Sequence, residues 1–261
     1  MGCGFGAMCN PDATGFAEWQ ADRIAELVKL TDAQRSKFDQ VGGGHAQRLS
    51  GRCSRNDHRP NGSNGERQVS RRIAIIQGHP DPAGHRLLHA MADAYAEGAT
   101  AAGHEVRRIE VARLEFTLLR TQVDFETGAL PLVLTQPRED MRWAEHWVFL
   151  FPLWHGTMPA LFKGFLEHIF RPGFAMEYKK QGFPKRLLAG RSARIVVTMG
   201  MPVLLYRWYF GAYGLRAFER SMLSFAGIKP IRESLCGLSF ASERKRARWI
   251  DDMRKHGERG D

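Results

Sequence analysis

From Arg72 onward the chain alternates short apolar runs with segments of helical spacing, and this alternation restricts the fold more than any other feature. The runs IAIIQ (73–77), HWVFLF (146–151) and ARIVVTM (193–199) show no polar alternation, as expected of strands buried on both faces. EVRRIEV (105–111) supplies a further strand, and a last one falls around 230–238. Helical patterns occupy 83–102, 158–170 and 213–226, and a polar helix runs from Ser242. Such β-α alternation implies a doubly wound parallel sheet with helices on both faces, whose ligands bind at the carboxyl ends of the strands where the strand order reverses.

The first 70 residues read differently. Phe16, Trp19, Ile24, Leu27, Val28, Leu30 and Phe38 recur at mostly helical spacing, so a helical segment is expected within 1–40. Residues 41–70 are rich in Gly, Ser, Asn and Arg with hardly any apolar side chains, a composition that does not offset the entropy of ordering. A disordered basic linker is expected there, with a nucleic-acid-binding arm as the alternative. The folded domain is expected at 71–261.

The 38 Lys and Arg residues against 28 Asp and Glu give a net charge of +10, which suits anionic partners. Seven arginines fall between 41 and 72, so much of the excess sits in the linker, and a nucleic-acid-binding face is not expected. Of the four cysteines, Cys3, Cys9, Cys53 and Cys236, only the last lies in the expected domain, and their spacing matches no metal site or disulfide framework. A cytoplasmic setting follows as the expectation. No apolar run approaches the roughly 18 residues of a membrane span, and Met1–Asn10 lacks the features of a signal peptide, so membrane insertion is not expected. Met1-Gly2-Cys3 resembles an acylation start, but Gly6 stands where that signal has Ser or Thr.

Three strand ends carry unusual sequence. GHPDPAGHR (78–86) follows the first strand, its glycines and prolines fixing a turn ahead of a helix whose free amides favour an anion. The same residues also suit a rigid turn without a ligand, and they do not form GxGxxG. FPLWHGTMPALFKGFLEHIF (151–170) follows the third strand and offers backbone amides and aromatic walls to a flat heterocycle. TMGMPVLLYRWYFGAYG (198–214) follows the fourth, bringing Thr198 and Gly200 to the same edge, with Tyr206 and Tyr213 on a loop entering a helix.

GHP after strand one, FPLW followed by MPALFKGF after strand three, RPGFAMEY at 171–178, LLAGRSARIVVTMG at 187–200 and the YRWYFGAYG segment together resemble the NAD(P)H quinone dehydrogenase branch of the flavodoxin-like fold, over about residues 72–240. The resemblance implies a flavodoxin-like sheet of order 2-1-3-4-5, bound FAD or FMN, NAD(P)H as co-substrate, a quinone-like acceptor, ping-pong electron transfer and a homodimer. Some family members instead regulate potassium efflux systems, and a flavin-binding regulatory subunit is the alternative. Carried over by position, it makes His79, Gly84, His85 and Arg86 the flavin phosphate and ribityl site. It sets Pro152, Leu153, Trp154 and His155 beside the isoalloxazine, with Thr198, Met199 and Gly200 on its polar edge. Tyr206 and Tyr213 become the catalytic candidates, and Met176 and Tyr178 shape the substrate pocket. No metal is implied.

Departures from the family pattern are local. Gly84, His85 and Arg86 stand where relatives commonly have Ser, Phe and Asn, which exchanges a hydroxyl contact for a cationic one. Met201 replaces the second glycine of a TTGG edge, and Tyr213 replaces a histidine, the side chain whose proton exchange suits neutral pH.

Overall fold

The computed structural model describes residues 70–178, 184–240 and 242–261. The helix expected within 1–40 and, but for Ser70, the linker expected at 41–70 lie outside the described residues. In chain order the main elements are β1 (Arg72–Gln77), α1 (Leu87–Ala101), β2 (Glu105–Glu110), α2 (Gln122–Glu126), α3 (Thr135–Trp143), β3 (His146–Pro152) and α4 (Ala160–Ile169). They continue with β4 (Met176–Glu177), β5 (Lys185–Arg186), β6 (Ser192–Met199), α5 (Val203–Trp208), α6 (Tyr213–Ala217), a π-helical turn (Phe218–Ser224), β7 (Ile231–Gly237) and α7 (Glu243–Arg259).

Five strands form one parallel sheet in the order β2-β1-β3-β6-β7, which is 2-1-3-4-5 once the short β4–β5 antiparallel ribbon is set aside. The fully apolar runs explain the placement: β1, β3 and β6 are the three central strands, covered on both faces. Successive residues split between two cores. Ile73, Ile75, Val148, Leu150 and Val196 face α1 and α7. Ala74, Ile76, Phe149, Phe151, Ile195 and Val197 face the other layer, where Phe162 and Phe165 of α4 and Phe218 of the π turn fill the space. The strand order reverses between β1 and β3, so the crevice that such sheets use for ligands opens beyond Gln77 and Pro152.

Helices α1 and α7 cross at two glycines. A Cβ on Gly98 would lie 2.1 Å from the Arg254 carbonyl oxygen, and one on Gly257 would lie 2.1 Å from that of Tyr95. The contact carries α7 back to the amino-terminal side of the sheet. There the Tyr95 hydroxyl and Arg194 Nε (2.6 Å) both donate to the Asp261 main-chain oxygen, and the Asp261 carboxylate pairs with Arg232 at 2.8 Å and accepts from Arg194 Nη2 at 3.3 Å. His146, buried at the start of β3, meets the Ser192 hydroxyl at 2.7 Å, and burial pushes its imidazole down to about 3.

Four expectations need correction. Helix α1 begins at Leu87, not near 83, because Pro82 and the left-handed Gly84 (φ 78°) hold residues 81–86 in a turn. The 213–226 segment is not one α-helix: α6 stops at Ala217 and passes into the π turn. Tyr206 lies inside α5 and not on a loop. Helix α3 has no counterpart among the expected elements, because TQPREDMRW buries only Pro137, Asp140 and Met141 and shows little apolar periodicity.

Candidate functional site

Gly78 leaves β1 with its amide on the Leu150 carbonyl (2.7 Å) and needs to be glycine, since a Cβ would meet the Phe162 ring at 2.5 Å. The chain then folds on itself. The Asp81 amide donates to His79 Nδ1 at 3.1 Å, and the Ala83 amide donates to the Asp81 carboxylate at 3.0 Å. That bond, followed by Arg86, holds the Asp81 carboxyl below the usual carboxylate range. Gly84 takes its left-handed conformation with open space where a Cβ would be. Helix α1 starts with no side-chain cap at Arg86, and the His89 amide already donates to the Arg86 carbonyl at 2.9 Å, so the Leu87 and Leu88 amides are the ones left for an incoming acceptor.

Gly84, His85 and Arg86 are all exposed on this turn, and His79 is half-buried. Arg86, expected to offer a cationic contact in place of a hydroxyl, is already paired. Its Nε and Nη2 bind Asp81 at 2.8 and 2.7 Å, so its charge neutralises the loop's own carboxylate, which would otherwise repel an anion at the helix end.

Strand β3 continues into a tight turn. Trp154 and Thr157 exchange backbone hydrogen bonds at 2.8 and 3.0 Å, while His155 (φ 47°) and Gly156 (φ 81°) are both left-handed, the signature of a type I′ turn. Trp154 is 49% exposed, so its ring is available to a ligand, and Leu153 binds the Thr198 carbonyl through its amide at 2.8 Å. This turn is buttressed from behind. Gly214 lies against it so closely that a Cβ would meet the Gly156 oxygen at 2.4 Å, and the Tyr206 hydroxyl donates to the same oxygen at 3.2 Å.

The buttress changes the standing of Tyr206. It is 1% exposed and its hydroxyl is engaged, so it presents no free donor to a visiting molecule. Burial raises its phenol above the ordinary value. Tyr213, by contrast, is 74% exposed, with its ring folded over Gly211. Along the β6 edge, Thr198 and Met199 use their carbonyls for Leu153 and Ser239, and the Met199 side chain is buried in the core. Only the backbone of Met199 therefore belongs to the edge. Gly200 is exposed and sits beside the Phe240 ring, 3.3 Å from where its Cβ would be. Met176 packs partly into the core, and Tyr178 is exposed.

Sequence reasoning missed two groups of residues. The first is Gln77 and His89, which flank the β1–α1 turn and carry the buried, unpartnered atoms Gln77 Nε2 and His89 Nδ1. The signal was present in QGHP and LLHA, but His89 sits in an Ala-rich helical pattern that reads as packing. The second is a cavity of about 250 Å³ beside α5, lined by Arg207, Trp208, Ala212, Leu215, Arg216 and Glu233. Arg207 pairs with Glu233, and burial together with the neighbouring Glu233 carboxyl pushes Glu219 up to about 7. Cys236 is buried, and burial raises its thiol to about 12, which leaves it protonated. Among the described residues no group of three or more His, Cys, Asp or Glu is placed to hold a metal ion, and no helix is long and apolar enough to cross a membrane.

The sheet order and the turn at its switch point define a flavodoxin-like protein. A family model described as the flavodoxin-like fold matches residues 71–256, and the chain belongs to that family. It is similar to a ribosyldihydronicotinamide dehydrogenase-like protein of Penicillium crustosum, at 25% identity over 156 residues, covering 49% of this chain and 57% of the relative. It is also similar to an FMN-dependent NADH:quinone oxidoreductase of Bordetella avium, at 30% identity over 92 residues, covering 35% of this chain and 43% of the relative. The chain thus spans little more than half the length of the first relative and less than half of the second. Among solved structures, the NAD(P)H:quinone oxidoreductase of Methanothermobacter marburgensis superposes with a TM-score of 0.62 at 20% identity, over 74% of this chain and 100% of that one. At that identity the likeness speaks for the fold.

Proposed function

We propose that the protein is an FMN-dependent NAD(P)H oxidoreductase acting on a quinone or a similar acceptor, with 71–261 as its flavin-binding domain. The observation that carries this reading is the β1–α1 turn: an uncapped helix start, a left-handed glycine with open space above it, and two buried polar atoms without partners, all at the sheet's switch point. These features suit a terminal phosphate. The Leu87 and Leu88 amides and the Gly84 backbone would hold the phosphate, while the backbone of 153–156 and of 198–200 and the exposed Trp154 ring would border the flavin ring. The names of the relatives, which include FMN-dependent NADH:quinone oxidoreductases, support FMN over FAD.

Bound FMN would supply the redox chemistry, taking reducing equivalents from NAD(P)H and passing them to the acceptor in two alternating half-reactions. The chain's own part is position and exclusion. Tyr206 acts as a positioning residue by fixing the Gly156 carbonyl and so the Trp154–Thr157 turn. Exposed Tyr213 is the phenol left to meet a visiting substrate. The exposed aromatic run Trp208, Tyr209 and Phe210 with Tyr213 supports a homodimer closing over this edge.

Anaerobic stopped-flow tests the reading. NADH or NADPH reduces the FMN-loaded protein in one phase, and a quinone reoxidises it in a second that is independent of nicotinamide. Reduction without reoxidation by any quinone would remove the acceptor from the proposal, and failure of both phases would remove the enzyme.

A further inference from the structure

The β1–α1 turn contains two imidazoles in contact. The rings of His79 and His89 lie 5.4 Å apart at an interplanar angle of 53°. Their hydrogen bonding separates their roles. His79 Nδ1 accepts the Asp81 amide, so a proton added there would break that bond, and His79 is held neutral with its proton on Nε2. His89 has no such restraint. Its Nδ1 is buried without a partner, and the residue is 8% exposed. Gln77, 3% exposed, accepts the His79 amide through Oε1, which leaves Nε2 as the unpartnered end of its side chain.

We propose that His89 takes up a proton from solvent when a phosphate dianion binds at this turn, so that flavin mononucleotide binding is proton-coupled. This rests on the flavin reading above. The charges around His89 fit the role. Burial lowers its proton affinity, Arg108 of β2 opposes protonation, and Glu110 of β2, Asp93 of α1 and Asp81 of the turn favour it. His79 and His89 repel each other's charge, and Arg86 also disfavours a charge on His79. The imidazole is thus neutral without an anion, and a dianion beside it adds the charge that tips the balance. Protonation then places an imidazolium in the first turn of α1, beside the amides that receive the phosphate, with Arg86 already committed to Asp81.

Linkage makes the inference measurable. One proton taken up on binding changes the dissociation constant tenfold per pH unit. At pH 7.5 the phosphate monoester of FMN, whose second pKa is about 6, is almost wholly dianionic, so uptake there belongs to the protein. Calorimetric titration of the full chain with FMN, in two buffers of different ionisation heat at pH 7.5, should show uptake approaching one proton. Affinity should fall several-fold to tenfold between pH 7.5 and 8.5. His89→Gln should bind FMN with no uptake and a flat pH profile, and riboflavin should bind the parent without uptake. If His89→Gln fails to fold, the His89 ring resonance of the labelled parent reads the same proton: its titration must move upward when FMN is added. FMN binding with unchanged uptake in His89→Gln, or a His89 titration indifferent to FMN, would overturn the assignment alone. Absence of FMN binding in the parent would overturn both it and the flavin reading.

Discussion

The two ends of the sheet are built on opposite plans. At the amino-terminal end the polar groups are tied to one another: Arg194, Arg232 and Tyr95 converge on Asp261, Arg71 reaches the Gly260 carbonyl at 2.7 Å, and His146 meets Ser192. At the carboxyl-terminal end the helix start is uncapped, Gln77 and His89 keep unpartnered atoms, and Trp154, Tyr213 and Phe240 stand exposed. Away from the turn, His146 Nε2, His168 Nδ1 and Arg138 Nε are also buried without partners, and burial keeps the His146 ring neutral. The contrast teaches where stability and function reside. Groups that have satisfied one another hold the fold, and unpartnered groups beside an uncapped helix start and an open left-handed glycine are where a ligand would complete the structure.

Substitutions at the first end should therefore cost stability with little effect on binding. Gly257→Val forces a side chain into the Tyr95 backbone and should lower stability by about 3 kcal/mol or more, a fall of roughly 6–12 °C in melting temperature, with FMN affinity of the folded fraction unchanged. A melting temperature within a degree or two of the parent would break the comparison at its firmest point. His146 sets the acid limit of the same end. Its folded value of about 3 lies below the ordinary 6.5, so its contribution is complete above pH 6.5 and is lost as pH falls toward 3, up to about 5 kcal/mol by linkage. His146→Asn should flatten the acid limb of a plot of stability against pH.

At the second end the order of effects reverses. Arg86→Glu leaves two carboxylates at the start of α1 and should weaken FMN binding about tenfold to a hundredfold while the melting temperature stays within about 2 °C. Tyr206→Phe removes one hydrogen bond to the Gly156 carbonyl, worth about 0.5–1.5 kcal/mol, and should lower turnover a few-fold with FMN retained. Equal slowing of both half-reactions fits a positioning role, whereas loss of one alone would return Tyr206 to direct contact with that substrate.

Between the two ends, Glu219 gives the smallest effect. Its folded value of about 7 exceeds the ordinary 4.5, so its contribution is present at low pH and lost as pH rises through 7. Glu219→Gln should raise the melting temperature at pH 8 by about 2–4 °C, equivalent to about 1 kcal/mol once linkage is discounted for solvent screening, and leave it unchanged at pH 4. A gain of the same size at both pH values would show that packing, and not the proton, is responsible.

The legible parts of the chain were those where one physical pattern acted alone. Unbroken apolar runs marked the central strands, and the glycines and prolines after Gln77 and Phe151 marked the turns that follow them. Sequence reasoning failed where two patterns overlapped or where a partner lay elsewhere. In YRWYFGAYG the aromatics of a short helix look like loop residues, so the burial of Tyr206 and its grip on Gly156 were hidden. The pairing of Arg86 with Asp81, five residues away, depends on a turn geometry that spacing does not specify. His89 looked like one more helix residue, because only its nearness to His79 across the turn makes it part of a site.

The central claim, that the β1–α1 turn holds the phosphate of a flavin, is tested most directly by titrating the protein with FMN and with riboflavin under the same conditions. The two ligands share the ring and differ in the phosphate. The account predicts that FMN binds about a hundredfold or more tighter, as expected of charge-assisted hydrogen bonds to several backbone amides, and that Arg86→Glu narrows the gap. Equal affinity for the two ligands, or a gap untouched by Arg86→Glu, would contradict it.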